Sequence, residues 1–207
     1  MIDNHYFIRF IPGGGGVHLS NLISLDATFN SKVIGLSKDQ YIKYLIDYYS
    51  TNPINGHLDN HHIINDKDAW MNYLNHQDFN LPNAVHVGHA ASFDWASDTL
   101  KTLKNKKFIS ITFNSNRSVE ILQDRIKHFN WPDFLKLGYI REEYQHFYQK
   151  EFISTDPLIC NDDINLQIEV EDLFNKNISF VIDSVNSKFN LNIPLSLAQN
   201  LHDHWIN

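Results

Sequence analysis

Apolar positions recur along this chain in two alternating rhythms. Tyr6 to Ile11 is a short aromatic and β-branched run that stops at Pro12 and the four glycines Gly13 to Gly16, the mark of a strand running into a loop. Behind the loop, Leu19, Leu22, Ile23 and Leu25 fall near helical spacing, which predicts a helix starting near Val17. A second helix is predicted over Lys38 to Tyr49, with Ser37 as its N-cap, Tyr41, Leu45 and Tyr48 on its apolar face, and Asn52-Pro53 as its stop. Asn65 caps a third from Asp66 to Leu74, and the polar, His-rich GHLDNHH between them reads as loop.

The same alternation continues to the other end. Ala84 to Val87 predicts a second strand, and Ser92 or Asp94 caps a helix through Leu103 whose inner face includes Trp95, Leu100 and Leu103. KKFISITF is a third strand, followed by a helix in NSNRSVEILQDRIKHF with Val119, Leu122 and Ile126 inward. Asp133 to Phe152 carries another amphipathic pattern, Leu166 to Val170 a fourth strand, Ile178 to Phe189 a helix, and Pro194 opens a last segment ending in Leu201 and Trp205. Strands alternating with helices predict an α/β fold in three layers, a mainly parallel sheet flanked by helices, because parallel neighbours need crossover connections.

Composition narrows this picture. The 207 residues suffice for one core and are read as a single domain over 1–207. Hydrophobic residues at 43% and charged residues at 20% are ordinary globular usage. With 17 Lys+Arg against 24 Asp+Glu the net charge is -7, which argues against general nucleic-acid binding, since neutralising phosphates takes a basic surface. The lone Cys160 has no partner for a disulfide or a zinc site, no apolar run is long enough to span a bilayer, and Asp3 and Arg9 interrupt the place of a signal peptide. The expectation is a cytoplasmic protein without membrane association.

A glycine-rich turn between strand and helix lets backbone amides approach a phosphate, and the helix end adds positive potential. FIPGGGGVHLS lacks the GK[ST] ending of a nucleotide triphosphatase loop, which disfavours ATP hydrolysis and a kinase. A flexible turn explains the glycines without any ligand.

The string nonetheless resembles the phosphosulfate-binding loop of P-loop sulfotransferases, with Pro12, Gly15 and Leu19-Ser20 in step. VHVGHAAS is similar to the family's strand-end motif, with His89 on its histidine. FISITFNSNRSVEIL resembles the segment that contacts the nucleotide 3′-phosphate, with Asn114 in place, and LQIEVEDLF resembles the late strand end through Glu171, Asp172 and Leu173. These segments spread over nearly the whole chain in the family's order. The chain departs from the pattern in four ways: Gly13 stands where many members have a lysine, Phe113 where an arginine is usual, the serine expected further into the helix after Phe113 is not evident, and the C-terminal glycine-rich nucleotide loop is missing.

The resemblance implies sulfuryl transfer from 3′-phosphoadenosine-5′-phosphosulfate to a hydroxyl or amine of a small-molecule or glycan acceptor. It implies catalytic roles for His89, as base, and His18, and cofactor contacts from Gly13, Gly14, Gly15, Gly16, Val17, His18, Asn114 and Arg117. The alternative is a non-catalytic nucleotide- or partner-binding protein that retains the fold. Residue by residue, other readings stand beside these: a structural histidine at a strand end for His89, neutral packing for His18 in the first turn of a helix, and surface pairing with Glu120 or Asp124 for Arg117 and Arg125. Glu171 and Asp172 read as caps or orienting groups. Tyr44, Tyr48, Phe147 and Trp205 read as core or partial core rather than an acceptor pocket. His57, His61, His62, His86 and His89 with Asp59 or Asp66 invite a metal, but their spacing matches no zinc pattern, and the expectation is a solvated loop and no metal.

Overall fold

The computed structural model describes residues 2–10, 14–33, 35–51, 67–75, 79–89, 99–128 and 164–206. Strand β1 (Asn4–Phe10) leads to helix α1 (Gly16–Ile23), then α2 (Lys38–Thr51) and α3 (Lys67–Leu74). Strand β2 (Asn83–His89), a helical turn at residues 99–102, strand β3 (Lys106–Thr112) and helix α4 (Asn116–His128) follow. Strand β4 (Ile164–Glu169) runs directly into α5 (Val170–Leu173), and α6 (Ser179–Phe189) and α7 (Leu195–Ile206) complete the order.

The four strands form one parallel sheet in the order β2-β1-β3-β4. Both faces are covered, so β1 is buried along nearly its whole length and sorts its side chains by period two. Tyr6, Ile8 and Phe10 join Val85, Val87, Ile109, Ile111 and Ile168 in the main core, under α1, α2, α4, α6 and α7. Phe7 turns to the other face, where it packs with Trp70 of α3, Leu100 and Phe108. The parallel α/β arrangement expected from the alternation is the one present.

Differences lie at element ends. β1 starts at Asn4 rather than Tyr6 because Pro82 O receives both Asp3 N–H and Asn4 N–H, which extends the pairing of β1 with β2. The fourth strand stops at Glu169 instead of Val170: Phe174 N–H bonds back to Val170 O, so the chain is helical from that residue. On α2 the fully buried residues are Tyr41, Leu45 and Tyr49, with Tyr49 in place of Tyr48, because these three follow one another at four-residue steps. Tyr44 is 38% exposed and Tyr48 partly buried, whereas Trp205 is core. Ser37 does cap α2, reciprocally: its Oγ accepts Gln40 N–H while Gln40 Oε1 accepts Ser37 N–H, a capping box. The GHLDNHH loop, Asn65, Asp66, Ser92, Asp94, Trp95, the segment 133–152 with Phe147, and Cys160 lie outside the described residues.

Candidate functional site

Chain order and sheet order together single out one place. From β1 the chain moves to β2 on one side and then to β3 on the other, so the strand order reverses at the carboxyl ends of β1 and β3, where ligands bind in open parallel sheets. Gly14 to His18 follow β1 and Asn114 to Ser118 follow β3, so both candidate cofactor segments come to this edge. His89 ends β2 in register with Phe10, which puts its backbone at the same edge. Gly13, and the side chain of His89, lie outside the description.

The first turn has two characters. Gly15 is the N-cap of α1, at φ 80° and ψ 14°, and contributes no side-chain acceptor to the helix end. That leaves the first-turn amides without a cap from their own N-cap residue, the condition for an anion at a helix start. Packing also demands the glycines: a Cβ on Gly15 would stand 2.8 Å from Leu173 Cδ2, and one on Gly16 would overlap the Phe10 ring. The glycines are thus required by the neighbours as well as permissive for a ligand.

His18 is a buried side chain on α1. Its ring stacks on Trp205 of α7 at 3.9 Å between centroids and 6° between planes, and its Nε2 is 3.0 Å from His202 Nδ1. His202 Nε2 lies 2.7 Å from Asn175 O, an atom that can only accept. Neutral His202 therefore carries its proton on Nε2 and accepts at Nδ1, and His18 donates from Nε2. Burial pushes the His202 imidazole below its usual range, against the opposing pull of the Asn175 carbonyl and Asp203. His18 is thus held between Trp205 and His202, an imidazole fixed in orientation on the first turn of α1.

The second turn is filled by the protein itself. Glu169 accepts hydrogen bonds from Thr112 Oγ1 at 2.8 Å, Asn114 N at 3.1 Å, Asn114 Nδ2 at 2.7 Å and Ser118 Oγ at 2.9 Å. These donors hold its carboxyl below the usual range although burial acts the other way. Ser115 Oγ accepts Ser118 N–H as the cap of α4 and donates to Glu171 Oε2 at 2.7 Å. Burial and the neighbouring Glu171 and Glu169 raise the Asp172 carboxyl. Asn114 is thus committed to a carboxylate, and Arg117, its side chain 70% exposed, pairs with Glu120 at 3.3 Å along the surface of α4.

Neither Glu169 nor His202 was a candidate on sequence grounds. Glu169 sits one residue before the Val170-Glu171-Asp172 string and reaches the turn after β3 only because β4 lies beside β3; His202 meets His18 across 184 positions. Among the described residues no group of three or more His, Cys, Asp or Glu is placed to hold a metal ion; His86 is buried against His5 and Trp70, and His57, His61 and His62 lie outside those residues. Among the same residues no helix is long and apolar enough to cross a membrane. The chain matches no protein-family model, and no curated protein or solved structure is significantly similar to it.

Proposed function

We propose that the chain binds the phosphosulfate end of a sulfonucleotide such as 3′-phosphoadenosine-5′-phosphosulfate at Gly14 to His18 and transfers its sulfuryl group to a hydroxyl or amine acceptor. The observation that carries this reading is a glycine-capped helix start at the reversal point of a parallel sheet, where, among the described residues, a carboxylate bonds the other turn and none bonds this one. The nucleotide supplies the sulfuryl group and leaves with the electrons of the broken S–O bond. The chain supplies the α1 amides for the growing negative charge, and His89 as the base that takes the acceptor proton.

A second reading, binding without transfer, is favoured by Glu169, which holds the Asn114 amides that the resemblance gives to the 3′-phosphate. Calorimetry separates the claims. Adenosine 3′,5′-bisphosphate is expected to bind the native chain, and Val17→Asp, which puts a carboxylate in the first turn without opposing the helix dipole, is expected to weaken binding roughly tenfold. No binding by the native chain sinks the cofactor assignment. Adenosine 5′-phosphate binding equally well means that the 3′-phosphate is not read. Sulfuryl transfer lost in His89→Ala supports the enzyme, and a native chain that binds without turnover leaves the binding protein.

A further inference from the structure

The opposite, amino-terminal edge of the sheet carries independent chemistry. A buried hydrogen-bond chain runs from Trp70 through His86 to His5, with Trp70 Nε1 3.2 Å from His86 Nδ1 and His86 Nε2 3.0 Å from His5 Nδ1. An indole N–H only donates, so His86 accepts at Nδ1, carries its own proton on Nε2 and gives it to His5 Nδ1. That places the proton of His5 on Nε2. The rings of Phe7, Trp70 and Tyr73 close around His86, which fixes the orientation of the pair. Burial, aided by the nearby Lys106 ammonium, pushes the His5 imidazole down to about 4, so near neutral pH His5 offers a fixed N–H and no charge.

His5, only 5% exposed, lines a cavity of about 600 Å³, within the usual range for small-molecule sites. Ile2, Met71, Leu74, Phe79 and Leu103 give it apolar walls. The Thr99 hydroxyl donates to the sulfur of Met71 at 3.8 Å. Among the described residues that line it, Lys104 carries the charge and no carboxylate is present. Lys106 stands behind the wall, its ammonium held by Leu100 O and Leu103 O. Apolar walls, a neutral donor whose other nitrogen is already committed, and the Lys104 ammonium complement a molecule with an apolar body and an anionic head.

We infer that this cavity binds a small amphiphilic carboxylate, its tail between Leu74 and Leu103 and its carboxylate accepting the His5 Nε2–H with Lys104 alongside. Octanoate is a suitable probe and octan-1-ol its uncharged counterpart, each titrated into the full chain labelled with ¹⁵N at histidine. Octanoate is expected to shift the His5 Nε2 resonance saturably, and octan-1-ol to bind about tenfold more weakly, the difference made by a charge-assisted hydrogen bond. Lys104→Glu, on an exposed side chain, weakens octanoate roughly fivefold, and Leu74→Trp fills the space and abolishes binding. The assignment is overturned if octanoate leaves His5 unshifted, if octan-1-ol binds as tightly, or if a folded Leu74→Trp protein binds normally. Should Leu74→Trp not fold, the comparison of the two probes and Lys104→Glu decide the matter.

Discussion

Lys32 is 1% exposed, and its ammonium has two neutral acceptors, Ser20 Oγ at 2.5 Å and Asn21 Oδ1 at 2.7 Å. Asn21 passes the network on through Nδ2 to Tyr49 OH at 2.7 Å and accepts Tyr41 OH at 3.3 Å, so one buried amide joins α1 to α2. Without a carboxylate to balance it, burial pushes the Lys32 ammonium down to about 7, and Lys38, clamped on the carbonyls of Ser24, Asp26 and Phe29, to about 8. Each value lies below that of the unfolded chain, which therefore binds more protons, and stability rises with pH from about 7 toward 10.5. Below about 7 both states are protonated and the cost of the buried charge is felt in full. Urea unfolding between these pH values should show the rise, and Lys32→Met should be the more stable protein at pH 7 and show a flatter profile; parallel curves for the two proteins would refute the assignment. No sequence pattern announced this residue, since Lys32 lies in an irregular segment and only the return of α2 against α1 buries it.

At the scale of elements, the strand–turn–helix at the start of the chain was legible because its signals are local: a β-branched run, a proline, glycines, then helical spacing. The reason for the glycines was not legible, since Phe10, Leu173 and Trp205 meet them only after folding. Gly16→Ala should destabilise the protein by about 2 kcal/mol, the cost of forcing a methyl into a packed ring. Phe10→Leu in the same chain should recover part of that loss, as a thermal unfolding cycle of the four proteins would show. Purely additive losses would mean that Gly16 is not there for the Phe10 ring. The turn after β3 gives the same lesson for the candidate site: NSNRS suggested a helix start, but that a glutamate from another strand would bond the Asn114 amides in that turn follows from the pairing of β3 with β4.

For the whole molecule, alternation of strand and helix signals was enough to anticipate a parallel sheet, because parallel strands require crossovers. It did not order the strands; the sequence 2-1-3-4 is set by which faces find partners, and that order is what locates the reversal point. The same holds for α7, whose Ala198, Leu201 and Trp205 belong to the main core and which packs on both α1 and α2. Deleting residues 195–206 should therefore abolish cooperative unfolding instead of trimming a tail, and a sharp calorimetric transition in the truncated protein would show that the core closes without it.

The stacking of His18 on Trp205 also sets a timetable. Contacts that join distant parts of a chain form late, because loop closure is costly until the intervening structure is in place. On the ribosome the glycine turn emerges more than 150 residues before Leu173, His202 and Trp205, which flank it and pack on its first helical turn. Packing around that turn is therefore complete only once synthesis has passed residue 205, and a chain stalled before it lacks those contacts.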